Sequence, residues 1–232
     1  MGHKKLIRFA AIKTFSNVFE YPQHMKGNWH QHFGNQNPIV LELACGRGEY
    51  TVGLSAMYPE KNFIGVDIKG NRMYIGAKKC LDENRTNAAF LRTQISMLAD
   101  YFAPGEVSEI WITFPDPQLK TGRARKRLTY PRYLRIYRQI MAAGASIHLK
   151  TDSPDLFQFT TLVAEQYHLP VVESLTNVYA TSQKPELTGI KTYYESLDIA
   201  QSNRIFYLHL QLPEQLADAE QDKAFDELLR RS

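Results

Sequence analysis

The sequence predicts an open, mostly parallel α/β sheet with helices on both faces. Short β-rich apolar runs alternate with stretches of helical spacing along most of the 232 residues. The first run, Pro38 to Ala44, passes through Cys45-Gly46-Arg47-Gly48 into a helical pattern from Glu49 to Met57, which is strand, glycine turn, helix. Several later runs end in an acid, and strand carboxyl ends are where open α/β sheets bind ligands. With 44% hydrophobic residues the chain can bury one sizeable core. One domain, 38–212, is therefore expected between an irregular N-terminal arm, 1–37, and a helical tail, 213–232.

The arm carries Lys4, Lys5, Arg8, Lys13 and Lys26 with several aromatics and little periodicity. His30-x-His32 has no third ligand at a familiar spacing, so no metal site is expected. In the turn after the first strand, the two glycines let the backbone approach a ligand, and the helix beyond offers unpaired N–H groups. The second strand, Asn62 to Val66, sets Asp67 about twenty residues past those glycines, where nucleotide-binding folds place the acid that takes ribose hydroxyls. Thr51 occupies the position of the third small residue in a dinucleotide fingerprint, and Glu42 near the strand's end would repel a pyrophosphate. That carboxylate suits a ligand bearing positive charge, or else it is a buried acid paired with a Lys or Arg.

A helical pattern from Asn71 to Glu83 leads to a third strand, Ala88 to Leu91. Beyond it lies Gln94, whose amide can read adenine or stay on the surface. Met97 to Phe102 is a short amphipathic turn. The fourth strand, Ile110 to Phe114, is stopped by Pro115-Asp116-Pro117. Then come Lys120, Arg123, Arg125, Lys126, Arg127, Arg132, Arg135 and Arg138, with no acid between Asp116 and Asp152. The chain's net charge is only +4, so these eight cations form a local, sequence-unopposed block, the footprint of a phosphate-binding face.

Pro131 opens a helix that Gly144 is expected to end, and Arg132, Arg135 and Arg138 lie broadly on one face of it. A fifth strand, Ala145 to Lys150, delivers Thr151 and Asp152, and Ser153-Pro154-Asp155 caps a helix to about Tyr167. Val171 to Tyr179 and Arg204 to Leu212 alternate as an antiparallel pair closing the sheet. Between them, the polar loop Lys184 to Ser196 holds Thr192 and Glu195 three apart, a capping box or a set of ligand contacts. Two cysteines give no disulfide framework, the first residues lack a signal peptide's apolar run, and no stretch approaches membrane-spanning length. A cytoplasmic protein with no obligate protein partner is expected.

The combination LELACGRG, GVDIKGNR, FPDPQLK followed by the Arg/Lys run and LTYPRYL, HLKTD and TYYE, in that order, resembles the bacterial tRNA (guanine-N7)-methyltransferases of the TrmB type. The resemblance covers about 38–212. It implies a Rossmann-like class I methyltransferase fold with a seven-stranded sheet, S-adenosylmethionine as cofactor, tRNA as partner, and methylation of a guanine N7 in the variable loop. Carried over residue by residue, it implies that Glu42, Gly46, Gly48, Asp67 and Gln94 hold the cofactor. Asp116 becomes the acid of the signature turn, with catalytic and cofactor roles. Lys120, Asp152, Thr192 and Glu195 match substrate contacts, and Arg123, Arg125, Lys126, Arg127 and Arg132 would grip RNA phosphates. Gln118 and Leu119 depart from the family's Trp and Pro. An exocyclic-amine methyltransferase and a non-catalytic RNA-binding domain are the rival readings; a dinucleotide oxidoreductase is disfavoured by Glu42 and the missing third glycine.

Overall fold

A computed structural model of the chain describes residues 2–197 and 203–231; the first residue of the arm and the last of the tail lie outside them. From the N-terminus, α1 (Gly2–Ile12), β1 (Val18–Glu20) and α2 (Trp29–Phe33) precede β2 (Ile39–Leu43), α3 (Glu49–Met57), β3 (Asn62–Asp67), α4 (Gly70–Asp82) and β4 (Ala88–Arg92). Then follow α5 (Leu98–Tyr101), β5 (Val107–Thr113), a 3-10 stretch (Thr121–Lys126), α6 (Pro131–Ile140), β6 (Met141–Thr151) and α7 (Pro154–Gln166). β7 (Val171–Leu175), the short α8 (Val178–Thr181) and α9 (Pro185–Thr188), β8 (Phe206–Gln211) and α10 (Gln221–Arg231) complete the chain.

All eight strands join one sheet in the order β1-β4-β3-β2-β5-β6-β8-β7. β1 to β6 pair in parallel, and β8 inserts antiparallel between β6 and β7. Both faces are covered, as the central runs require: Ile39, Leu41, Leu43, Ile110 and Ile112 belong to a core shared with α5, α6 and α7. Their alternate neighbours Val40 and Trp111 pack instead with Tyr50 and Leu54 of α3 and with Leu187 and Ile190.

The seven expected strands are all present, and the eighth comes from the arm, which is not irregular. α1 packs on α4, where a Cβ on Gly70 would come within 2.6 Å of Ile12. β1 extends the sheet beside β4. Trp29 is fully buried, stacked on Phe102 at 5.4 Å, with its indole N–H donating to the Tyr101 carbonyl at 2.9 Å. Two shorter corrections concern element ends. α6 stops at Ile140 rather than Gly144, because β6 starts at Met141 and bulges against Val107 to Glu109, with Gly144 at φ +78° donating to the Leu212 carbonyl. The strand expected over 171–179 ends at Leu175, and Val178 opens α8.

Beneath the glycine turn, the Phe90 ring lies in a nest of three glycines. A Cβ on Gly48, Gly65 or Gly76 would approach it within 2.4, 2.9 or 3.0 Å. At the other end, α10 docks through Phe225, which is buried among the rings of Tyr130, Phe159 and Tyr167 at 6.1, 5.9 and 5.6 Å. Phe225→Ala is expected to cost about 3 kcal/mol, read as a lower urea midpoint; an unchanged midpoint would show that α10 adds nothing to stability.

Candidate active site

A cavity of about 840 Å³ opens at the carboxyl ends of β2 to β6. That is within the range of nucleoside-sized ligand sites. Every wall is a segment that follows a strand. Ala44 and Gly46 come after β2, Asp67 ends β3, Thr93 and Gln94 follow β4, Phe114 to Pro117 follow β5, and Asp152 to Asp155 follow β6. Tyr194 arrives from the loop before β8.

On the glycine side, Asp67 is nearly buried. One carboxylate oxygen accepts the Gly46 N–H at 2.9 Å and the other the Lys69 N–H at 2.8 Å, so the acid is locked in place. Each oxygen keeps a further lone pair, which is what a pair of ribose hydroxyls needs. Thr93 is fully buried, lines the cavity, and leaves its Oγ1 without a partner in the described structure. A buried hydroxyl in that state calls for a polar ligand atom. Gln94 lies next to it on the same wall. These residues fit a nucleoside cofactor.

Glu42 stands behind this wall rather than in it. It is buried, one oxygen accepting from the Thr51 N–H at 2.7 Å and its hydroxyl at 2.6 Å, the other from the Thr113 hydroxyl at 3.2 Å. Among the described residues no Lys or Arg answers it; the first turn of α3 and Thr113 of β5 do. Gly48 is likewise off the cavity, serving as the left-handed cap of α3 at φ +74° over Phe90. Burial pushes the Glu42 carboxyl up to about 7 despite those donors. A raised carboxyl favours the folded state only while protonated, so its cost grows as pH climbs from the ordinary carboxylate range through 7. Glu42→Gln removes that titration. Its stability relative to wild type is expected to improve by about 2 kcal/mol between pH 5 and pH 8 in urea unfolding; parallel pH curves would refute this.

The signature turn is strained and braced. Phe114 takes φ +47° and donates its N–H to the Lys150 carbonyl at 2.8 Å, and Gln118 also takes φ +47°. Exposed Asp116 accepts the Gln118 N–H at 3.0 Å, with its carboxylate at the cavity. Left-handed φ in non-glycine residues persists only where the surroundings hold it. Here Arg127 does so, its buried guanidinium donating to the carbonyls of Pro117 at 3.0 Å and Gln118 at 3.3 Å and lying 4.3 Å from the Phe159 ring.

The basic block therefore divides. Arg127 is a strut, not a free phosphate contact. Arg125 is ion-paired with Asp226, and Arg135 with Asp222, both acids on α10. Arg138 is spent on the carbonyls of Glu214 at 3.1 Å and Met141 at 2.9 Å. The tail supplies the opposition that nearby sequence lacked. Lys120, Arg123, Lys126 and Arg132 remain exposed and, among the described residues, have no ion-pair partner. Three of them lie between Leu119 and Leu128, which line the cavity, and Arg132 lies 4.6 Å from the ring of Tyr133, another lining residue.

Thr192 and Glu195 form the capping box. The Glu195 N–H donates to Thr192 Oγ1 at 3.0 Å and the Thr192 N–H to Glu195 Oε2 at 3.4 Å. Neither lines the cavity; Tyr194 between them does. Asp152 lines it, while Lys120 is not among the lining residues and is exposed next to Leu119, which is. Tyr194, Tyr133 and Thr93 are lining residues to which the sequence alone gives no role, though each is adjacent to one it singles out, and Arg72, five positions past Asp67, is another. Among the described residues no group of three or more His, Cys, Asp or Glu is placed to hold a metal ion, and no helix is long and apolar enough to cross a membrane.

A family model described as a putative methyltransferase matches residues 36–208. Among solved structures, the 16S rRNA methyltransferase KamB superposes with a TM-score of 0.58 at 14% identity, covering 81% of this chain and 93% of that one, a likeness of fold alone. The tRNA (guanine-N(7)-)-methyltransferase of Bacteroides thetaiotaomicron is 47% identical over 224 residues, 93% of this chain and 88% of its own. The enzyme of that name from Porphyromonas gingivalis is 48% identical over 88% of this chain and 87% of its own. With identity near one half over about nine-tenths of its length, the chain belongs to the tRNA (guanine-N(7)-)-methyltransferase family.

Proposed function

We propose that the protein transfers the methyl group of S-adenosylmethionine to N7 of a guanine in the variable loop of tRNA, in the cytoplasm. One observation carries the reading: Asp67, Asp116 and Asp152 line a single cavity, and next to its lining residues Leu119, Leu128 and Tyr133 the chain carries four exposed cations that have no ion-pair partner among the described residues. Bound there, S-adenosylmethionine supplies an electrophilic methyl group on a cationic sulfur. Asp67 takes the ribose hydroxyls, and the Thr93 hydroxyl and Gln94 amide meet the adenine. Guanine N7 already presents a lone pair, so this chain needs no general base. Its task is to hold the base in line, which orientation and electrostatics supply. Asp116 stabilises the positive charge that the purine acquires, and Asp152 accepts from the guanine N1–H and amino group. Leu119, Leu128 and Tyr133 give the apolar flank for a base drawn out of folded tRNA, while Lys120, Arg123, Lys126 and Arg132 grip phosphates.

The reading is tested by incubating the protein with labelled S-adenosylmethionine and tRNA and digesting the product to nucleosides. Label in 7-methylguanosine is expected. Label on an exocyclic amine, which the Asp116-Pro117-Gln118-Leu119 turn does not favour, or no label at all, overturns it. Because Asp116 is exposed, Asp116→Asn is expected to lower kcat/KM only about tenfold. A wild-type value would remove it from the mechanism.

A further inference from the structure

Lys150 is the one wholly buried cation among the described residues, set near the end of β6. All three of its ammonium protons are used: by the Leu187 carbonyl at 2.7 Å, the Ile190 carbonyl at 3.3 Å and Glu195 Oε2 at 3.2 Å. The rings of Tyr50, Phe114 and Tyr179 surround it at 5.5 to 5.6 Å. Every acceptor belongs to residues 187–195. An apolar side chain of similar volume would stabilise such a core as well or better, so stability alone does not account for an ammonium there.

The segment that Lys150 holds is also the roof of the cavity's glycine side. Gly53 of α3 leaves the notch that admits Ile190, since a Cβ there would come within 2.7 Å of it. Downstream, the Tyr193 N–H donates to Glu49 at 3.2 Å, and the Tyr193 ring lies 3.6 Å from the Arg47 guanidinium. The Tyr194 ring stands 3.7 Å from where a Gly46 Cβ would be, with Arg72 5.5 Å from its centre. Gly46 and Asp67 are joined by a hydrogen bond, so this tyrosine covers the half of the cavity assigned to the cofactor.

We propose that Lys150 is a positioning residue. By gathering two carbonyls and the Glu195 carboxylate, it fixes 187–195 against the sheet, so that Tyr193 and Tyr194 close as a lid over the bound cofactor. It touches neither cofactor nor base, and acts through the backbone it pins. The same residue's own carbonyl receives the Phe114 N–H, so lid and signature turn share one anchor. The proposal rests on the cavity being the S-adenosylmethionine site.

The test uses the full chain with Lys150→Met, which keeps the volume and removes the donors. With the variant folded at assay temperature, the KM for S-adenosylmethionine is expected to rise about tenfold or more while the KM for tRNA moves less than about threefold. Amide exchange over 187–197 is expected to quicken while exchange in β2 and β5 does not. Wild-type cofactor KM with unchanged exchange overturns the proposal, as does an equal loss in both KM values. Should Lys150→Met fail to fold, the wild-type chain decides. S-adenosylhomocysteine slows exchange over 187–197 if the segment is a lid, and leaves it unchanged if it is not. Absence of methyl transfer by the wild-type chain would instead sink the functional reading, and this proposal with it.

Discussion

Asp67→Ala is expected to weaken S-adenosylmethionine binding by about 10²- to 10⁴-fold, the largest effect of any single change at this site. The carboxylate already organises the turn by accepting the N–H groups of Gly46 and Lys69. Two further charge-assisted hydrogen bonds to ribose hydroxyls, at about 1.5–3 kcal/mol each, give the range. Titration of wild type and variant with S-adenosylhomocysteine measures it, because that product keeps the ribose and lacks the sulfonium charge. Affinities within threefold of each other would place the ribose elsewhere. Asp67→Asn refines the result: the amide keeps the volume but can accept through only one atom, so an intermediate loss is expected.

Neutralising Lys120, Arg123, Lys126 and Arg132 together to Gln is expected to weaken tRNA binding by about 10²- to 10³-fold near physiological salt. It should also make the slope of log affinity against log salt shallower by about 3, since each phosphate contact contributes roughly 0.7 to 0.9. Arg125→Gln is the control. Its guanidinium is already held by Asp226, whose other oxygen takes the Tyr130 hydroxyl at 2.9 Å, so the salt slope should barely move. If Arg125→Gln flattens the slope as much as any of the four, the RNA path runs over α10 and the division of the basic block is wrong.

That division also shows where sequence reading stopped. Strand ends, the glycine turn, Asp67 and the signature turn were legible because each is written in a run of a few adjacent residues. Apolar periodicity broke at Gly46, Asp67, Pro115 and Asp152, and those breaks became the cavity. The eight cations looked unopposed because Asp222 and Asp226 lie on α10, about a hundred residues beyond Arg125. α1 and β1 were missed for the same reason. Their partners are α4 and β4, and three residues of β1 are too few to show alternation. From sequence Glu42 reads as a ligand acid, because a buried acid without a cation is rare. What satisfies it is a threonine N–H and hydroxyl in the first helical turn, a partner that charge counting does not see. Thr192 and Glu195 stand out in the sequence as a pair, yet the residue of that loop that lines the cavity is Tyr194 between them.

The packing beneath the glycine turn has a consequence for descent. Positions 48, 65, 76 and 90 belong to four separate parts of the chain, and the single phenyl ring at 90 abuts all three glycines. An alanine arising at 65 meets the Thr51 hydroxyl at 2.7 Å as well as the ring at 2.9 Å, and one at 76 meets the Arg47 carbonyl at 2.4 Å before the ring at 3.0 Å, so a smaller residue at 90 eases the first position and leaves the second closed. Across lineages 65 and 90 can trade volume, whereas 48, with its left-handed backbone, and 76, against a carbonyl, should stay glycine.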